Sequence, residues 1–120
     1  MRNLTLHRLI LCLALVPLVS FADITGRVVA VTDGDTIKVL DDNRTEHKVR
    51  LSGIDAPERG QPYGNVSREN LAKLVAGKDV RVETVKKDRY GRVVGKIWVQ
   101  PADCPSCGKT LDANHAQISA

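Results

Sequence analysis

From residue 24 onward the apolar positions fall mostly into short runs of β-branched residues separated by turn-forming clusters. ITGRVVAV (24–31) is apolar and β-branched, and VTDGDTIKVL (31–40) breaks at DGD before resuming as a strand. DDNR is a turn cluster, after which EHKVRLSGI (46–54) alternates well enough to form a third strand. APERGQPYGN is rich in proline and glycine and reads as loop. In SRENLAKLVAG (67–77) the period changes, with Leu71, Leu74 and Val75 at helical spacing and Gly77 where a C-terminal cap belongs. VRVETVKK (80–87) and VVGKIWV (93–99) are strands joined by the tight connection DRYGR. CPSCGK is loop, and LDANHAQISA (111–120) reads as the start of a second helix.

The order βββ-α-ββ-α predicts an α+β fold, mainly β. Five short strands with one helix after the third fit a small closed Greek-key barrel of OB type, whose strand faces commonly bind oligonucleotides or oligosaccharides. The competing arrangement is an open α+β sheet with a helix on one face. No repeat, low-complexity tract or linker divides the chain, so residues 23–120 form one domain.

The first 22 residues are read apart from that domain. Arg2, His7 and Arg8 precede the apolar run LILCLALVPLV, and Ser20 and Ala22 stand at the small-residue positions of a cleavage site. These are the three regions of a secretory signal peptide, cleaved near Ala22. The apolar run is shorter than the roughly 20 residues a membrane-spanning helix needs. The expectation is a secreted or periplasmic protein without a membrane anchor. Losing Arg2 and Arg8 leaves 16 basic against 14 acidic residues, so net charge alone does not argue for a polyanionic partner. Cys104 and Cys107 remain; a local disulfide, free thiols and half of a zinc site are the alternatives, and an oxidising compartment favours the first.

Three polar clusters carry the candidate chemistry. In VRLSGIDAPERG (49–60), Arg50, Asp55, Glu58 and Arg59 lie within ten residues at a strand end. Strand alternation places Arg50 and Asp55 on opposite faces, so bringing both to one site needs a bend, which Gly53 permits. In DGDT (33–36) two carboxylates flank a glycine, a set able to face a hard cation but equally common in a plain β-turn. In DRYGR (88–92), Arg89 and Arg92 flank Tyr90, offering guanidinium forks for phosphate oxygens beside an aromatic surface for a base. Each cluster alone could be a solvated turn.

Together and in this order, with a helix between the last two, DGDT, RLSGIDAPE and DRYGR resemble the staphylococcal nuclease (thermonuclease) family. The resemblance runs over residues 26–99 and resumes weakly in the last helix. It implies a five-stranded OB-type barrel and a calcium-dependent enzyme cutting phosphodiester bonds in DNA and RNA. By motif, Asp35 and Asp55 would be calcium carboxylates and the Ala56 backbone carbonyl a third oxygen ligand; some relatives have threonine at that position. Glu58 would be the general base that activates water. Arg50 and Arg92 would grip the phosphate, and Arg89 and Tyr90 would line the substrate. On this reading the opposite charges are held apart, one set for metal and water and the other for phosphate.

Relatives in that family normally continue through the last helix into a further apolar helical segment. Ending at HAQISA is therefore expected to lower stability more than to alter chemistry. With Tyr63, Tyr90 and Trp98 as its aromatics, the domain is expected to have a thin core. A monomer is expected, without a stable protein partner, acting preferentially on single strands. The rival class is a non-catalytic OB-fold module that binds single-stranded nucleic acid, but such a module is expected to have lost some of the acids and arginines.

Overall fold

The computed structural model describes residues 22–54, 56, 61 and 63–119. The signal-peptide reading therefore lies outside the described residues, apart from Ala22, as do Asp55, Pro57, Glu58 and Arg59. The elements are β1 (Ile24–Asp33), β2 (Thr36–Asp41), β3 (Glu46–Leu51), α1 (Gly64–Val75), β4 (Asp79–Lys87), β5 (Val93–Val99), β6 (Leu111–Asp112) and α2 (Ala113–Ile118).

β1, β2 and β3 form the antiparallel meander anticipated from their spacing, and β4 pairs with the first residues of β1. β5 lies antiparallel to β4 and returns alongside β3 in a parallel pairing, Val49 with Val93, Arg50 with Val94 and Leu51 with Gly95. That last pairing closes five strands into a mixed barrel and decides against the open sheet. The fold is the OB-type α+β barrel expected.

Closure needs curvature, and bulges supply it. Pairing slips by one residue at Val29 and at Thr32 in β1, and at Val85 in β4. An extra residue on one strand bends it and strengthens its twist. It also upsets the alternation of faces, which accounts for the exposed positions of Val29 and Val85 despite their apolar side chains.

The barrel interior is aliphatic. Val28, Ile37, Val49, Leu51, Val82 and Ile97 are among its fully buried side chains. No aromatic ring joins them among the described residues: Tyr63 and Tyr90 are exposed and Trp98 lies half-buried on the outer face, flanked by Arg81 and Lys96. α1 buries Leu71 and Val75 against this interior, as the helical spacing predicted.

Three boundaries differ from the sequence reading. α1 begins at Gly64, three residues before Ser67, because Tyr63 takes a left-handed backbone (φ 64°) that turns the loop directly into the helix. β3 stops at Leu51, and the chain bends at Gly53, whose φ of 76° is costly for other residues. Leu111 and Asp112 form a short strand on the edge of β5; the helix starts after them, with the Asp112 side chain accepting from the His115 N–H at 3.0 Å. Gly77 is a helix terminator as expected (φ 72°), but its N–H donates to the Val28 carbonyl and ties the helix end to β1. Cys104 and Cys107 are joined by a disulfide in the β5–β6 connection.

Gly95 stands where β3, β4 and β5 meet, and a methyl group there would lie 2.6 Å from the Glu83 carbonyl oxygen and 3.1 Å from Val82 Cγ1. Backbone cannot yield as a flexible side chain can. Gly95→Ala is expected to lower stability by about 1–3 kcal/mol, the usual range for overpacking. A lower urea midpoint with an unchanged slope is the expected result; an unchanged midpoint would mean that closure tolerates a wider spacing.

Candidate functional site

The β1–β2 turn, Gly34–Asp35, and the segment following β3 meet at one end of the barrel. The Leu51 N–H donates to the Asp35 carbonyl at 2.7 Å, holding the turn against the end of β3. The Asp35 side chain is almost buried. Its Oδ1 accepts from Thr36 Oγ1 at 2.8 Å, while its Oδ2 lies 3.4 Å from the Ala56 N–H and 3.7 Å from Arg50 Nη2. Arg50 also donates to the Ile54 carbonyl at 3.3 Å, across the bend at Gly53.

Asp35, Arg50 and Ala56, separated in sequence, are thus brought together as the motifs required. The two signs are closer than the sequence reading anticipated: Arg50 leans on Asp35 instead of standing apart from it. Asp55 and Glu58, read as metal ligand and base, lie outside the described residues.

Arg92 reaches the same end of the barrel because it immediately precedes β5, whose parallel pairing with β3 sets Val93 opposite Val49. Its guanidinium is held by Asp88, which accepts from Arg92 Nε at 2.8 Å and from the backbone N–H groups of Tyr90 and Arg92 at 2.9 Å each. Burial works against ionisation of Asp88, but the hydrogen bonds from Arg92 and Tyr90 outweigh it and hold the carboxyl below its ordinary value. Gly91 (φ 81°) supplies the backbone freedom that lets Asp88 cap its own turn. Arg89 and Arg92 lie 5.3 and 5.7 Å from the centre of the exposed Tyr90 ring, so the turn presents two cations and an aromatic surface together.

A buried carboxylate beside a turn of backbone is the donor chemistry a hard cation takes. Among the described residues no group of three or more acidic, histidine or cysteine side chains assembles. Of the donor set read from the motifs, the described residues bring the Asp35 carboxylate and the Ala56 backbone together, with the Ala56 N–H 3.4 Å from Asp35 Oδ2.

Two residues of α2 hold this end of the barrel and were read in the sequence only as helix. Asn114 is buried; its Oδ1 accepts from the Ile97 N–H at 3.0 Å, and its Nδ2 donates to the carbonyls of Ser52 at 2.9 Å and Gly95 at 3.1 Å. Gln117 Nε2 donates to the carbonyls of Gly34 and Ser67, each at 2.9 Å, while its Oε1 accepts from Asn70. The short helix therefore fastens the turn carrying Asp35 to α1, and the bend after β3 to β5. Gly34 can be nothing larger, since a side chain there would collide with Ser67 and press on Ala56. Two uncharged amides in a helical pattern gave no sequence signal, and neither did Asp88 as the acid that orients Arg92.

Residues 48–116 match the family model described as staphylococcal nuclease homologue. Over 77 residues the chain is 52% identical to an uncharacterized endonuclease of Escherichia coli, covering 64% of this chain and 50% of that protein. It is 47% identical over 79 residues to a micrococcal nuclease of Shigella flexneri (66% and 45% coverage). It is 38% identical over 99 residues to an uncharacterized endonuclease of Haemophilus influenzae (82% and 56%). The chain spans about half the length of the curated relatives it matches.

Ionised Asp88 stabilises its turn because its carboxyl titrates below the unfolded value of about 3.9. That contribution is complete above the unfolded pKa and is lost as pH falls through the lowered folded one. Asp88→Asn is therefore expected to be less stable than the parent at neutral pH, with the gap closing in strong acid. Urea midpoints at about pH 7, 4 and 2.5 check this. A gap independent of pH would place the cost in something other than the carboxylate.

Proposed function

The chain belongs to the staphylococcal nuclease homologue family, and from that membership we propose that it is an exported, calcium-dependent endonuclease hydrolysing phosphodiester bonds in DNA and RNA. The names of its relatives, endonuclease and micrococcal nuclease, support the reaction class. The observation that carries the reading for this chain is the convergence of Asp35, Arg50 and Ala56 at one barrel end, with Arg92 in the turn that leads into β5, the strand paired with β3. A binding module has no need to bury a carboxylate against an arginine at its site.

In this reading Asp35, Asp55 and the Ala56 carbonyl hold calcium, which supplies positive charge beside a phosphate oxygen. Glu58 accepts a proton from the attacking water as the water oxygen bonds to phosphorus; the bond from phosphorus to the leaving nucleotide oxygen breaks, and that oxygen takes a proton from solvent. The base contributes typically of order 10²–10⁴ in rate. Arg50 and Arg92 stabilise the negative charge that grows on the phosphate oxygens, each on the scale of an oxyanion donor, about 3–4 kcal/mol. Asp88 keeps the Arg92 fork aimed by claiming its Nε. Tyr90 and Arg89 line the path of the bases and favour single strands, where an unpaired base can stack. The apolar leader of residues 1–22 accounts for export.

Cleavage of denatured DNA is expected with calcium, to fall sharply with magnesium, and to cease in chelator, because a sparse oxygen set suits a large flexible cation. Glu58→Gln is expected to cut kcat by about 10²–10⁴ while substrate affinity stays near that of the parent. Full activity in chelator would remove Asp35 and Asp55 as metal ligands. A Glu58→Gln protein with parental turnover would remove Glu58 as base. Binding without cleavage under every condition would leave a single-strand binding module.

A further inference from the structure

Beside the site, an open groove of about 370 Å³ is lined by Thr32, Asp33, Thr36, Lys48, Tyr90 and Arg92. Strand register explains why these residues share it. Arg92 precedes Val93, which pairs with Val49, so Lys48 and Arg92 stand side by side where β3 and β5 run parallel. On the other flank Lys48 pairs with Lys38 of β2, and Arg50 with Thr36. Val49 and Leu51 point into the core, so Lys48 and Arg50 share the outer face.

Cations thus cross the sheet in a row, from Arg92 through Lys48 to Lys38. Like charges directly opposite on antiparallel strands repel. Lys38 is relieved by Glu46 at 3.6 Å, whereas Lys48 takes no carboxylate among the described residues. Asp88 and Asp35 likewise engage Arg92 and Arg50. Lys48 is therefore an exposed cation of the groove that takes no acid partner among the described residues, and it stands opposite a like charge on β2.

We infer that this groove is a subsite for the single strand flanking the scissile phosphate, and that Lys48 contacts a neighbouring, non-scissile phosphate there. The inference rests on the nuclease reading and extends it from the reacting phosphate to the length of strand recognised. Tyr90 at the mouth offers a stacking face next to Arg92. The contact is to phosphate, so it carries no base preference.

The test measures binding in chelator, where nothing is cut, for a single strand of about ten nucleotides and for a dinucleotide, across a salt series. Lys48→Met, Lys48→Arg and, as a control for net charge, Lys109→Met are compared; Lys109 lines a different cavity. Lys48→Met is expected to weaken the longer strand about threefold to tenfold and to reduce the log–log salt slope by about 0.7. The loss is confined to the longer strand, is equal for different sequences, and is restored by Lys48→Arg. In calcium the same variant should raise KM on long substrates while kcat holds. An unchanged slope, equal losses on both lengths, or an equal loss in Lys109→Met would overturn the subsite. A parent protein that binds neither length in chelator and cuts neither when calcium is restored would instead overturn the nuclease reading itself, and the subsite with it.

Discussion

Three residue pairs between β3 and β5 carry more of this molecule than any other contact. They are parallel, they join segments more than forty residues apart, and among the described residues they are the strand pairs that close the sheet into a barrel. Such a pairing is disfavoured during folding, since a long loop must be ordered before its contacts form. The structure compensates locally. The Ser52 N–H donates to the Gly95 carbonyl at 2.8 Å, extending the ladder by one bond, and Asn114 bridges the same carbonyl to Ser52 while satisfying the Ile97 N–H. A buried amide with several partners is costly to break, because each orphaned group forfeits about 1–3 kcal/mol. Without closure Arg50 and Arg92 would belong to different edges of an open sheet.

The same constraint shapes the polar end of the barrel. Asp35 is almost buried, yet both its oxygens have donors, and its own carbonyl receives the Leu51 N–H. Gln117 then fixes the neighbouring Gly34 carbonyl to α1. The turn carrying the carboxylate is thus held by β3, by α1 through α2, and by its own threonine. Precision of this kind suits a site whose groups must be aligned before a substrate arrives. It also accounts for placing the acid on a two-residue turn at the end of a bulged strand: the bulge at Thr32 re-aims the last residues of β1, and Thr32 Oγ1 donates to the Thr36 carbonyl across the turn at 3.1 Å.

Legibility in the sequence followed the physics of each signal. The strands and α1 could be read because their core faces repeat with period 2 or 3.6, and the three charged motifs because unlike charges beside glycines are conspicuous. The bulges were hidden, since an extra residue looks like ordinary strand until its partner is known. Leu111 and Asp112 were absorbed into a helix they only precede, because an acid before an alanine-rich stretch marks a cap without saying what lies in front of it. Asn114 and Gln117 were invisible as fasteners, because their partners are backbone carbonyls of remote segments and no side-chain pattern encodes those. The meeting of Arg50 with Asp35 was likewise tertiary: alternation along β3 gives the face of Arg50, but only the bend at Gly53 and the pairing of Thr36 with Arg50 give its neighbour.

Charge placement, more than charge total, sets how this surface meets a polyanion. Residues 23–120 carry 16 basic against 14 acidic side chains, so this part of the chain exerts little long-range field, and at physiological salt fields fade within about 8 Å. Attraction must then come from cations that a phosphate can touch. Two of the cations at the site are restrained by an acid, Arg50 by Asp35 and Arg92 by Asp88, which orients each fork and lowers its attraction for stray anions. A phosphate gains most where it meets several such forks at once, because each alone is partly neutralised. On the proposed nuclease reading, the arrangement would trade affinity at any single contact for selectivity toward a ligand that spans the closure of the barrel, from the turn before β5 across β3, a path that a flexible single strand can follow.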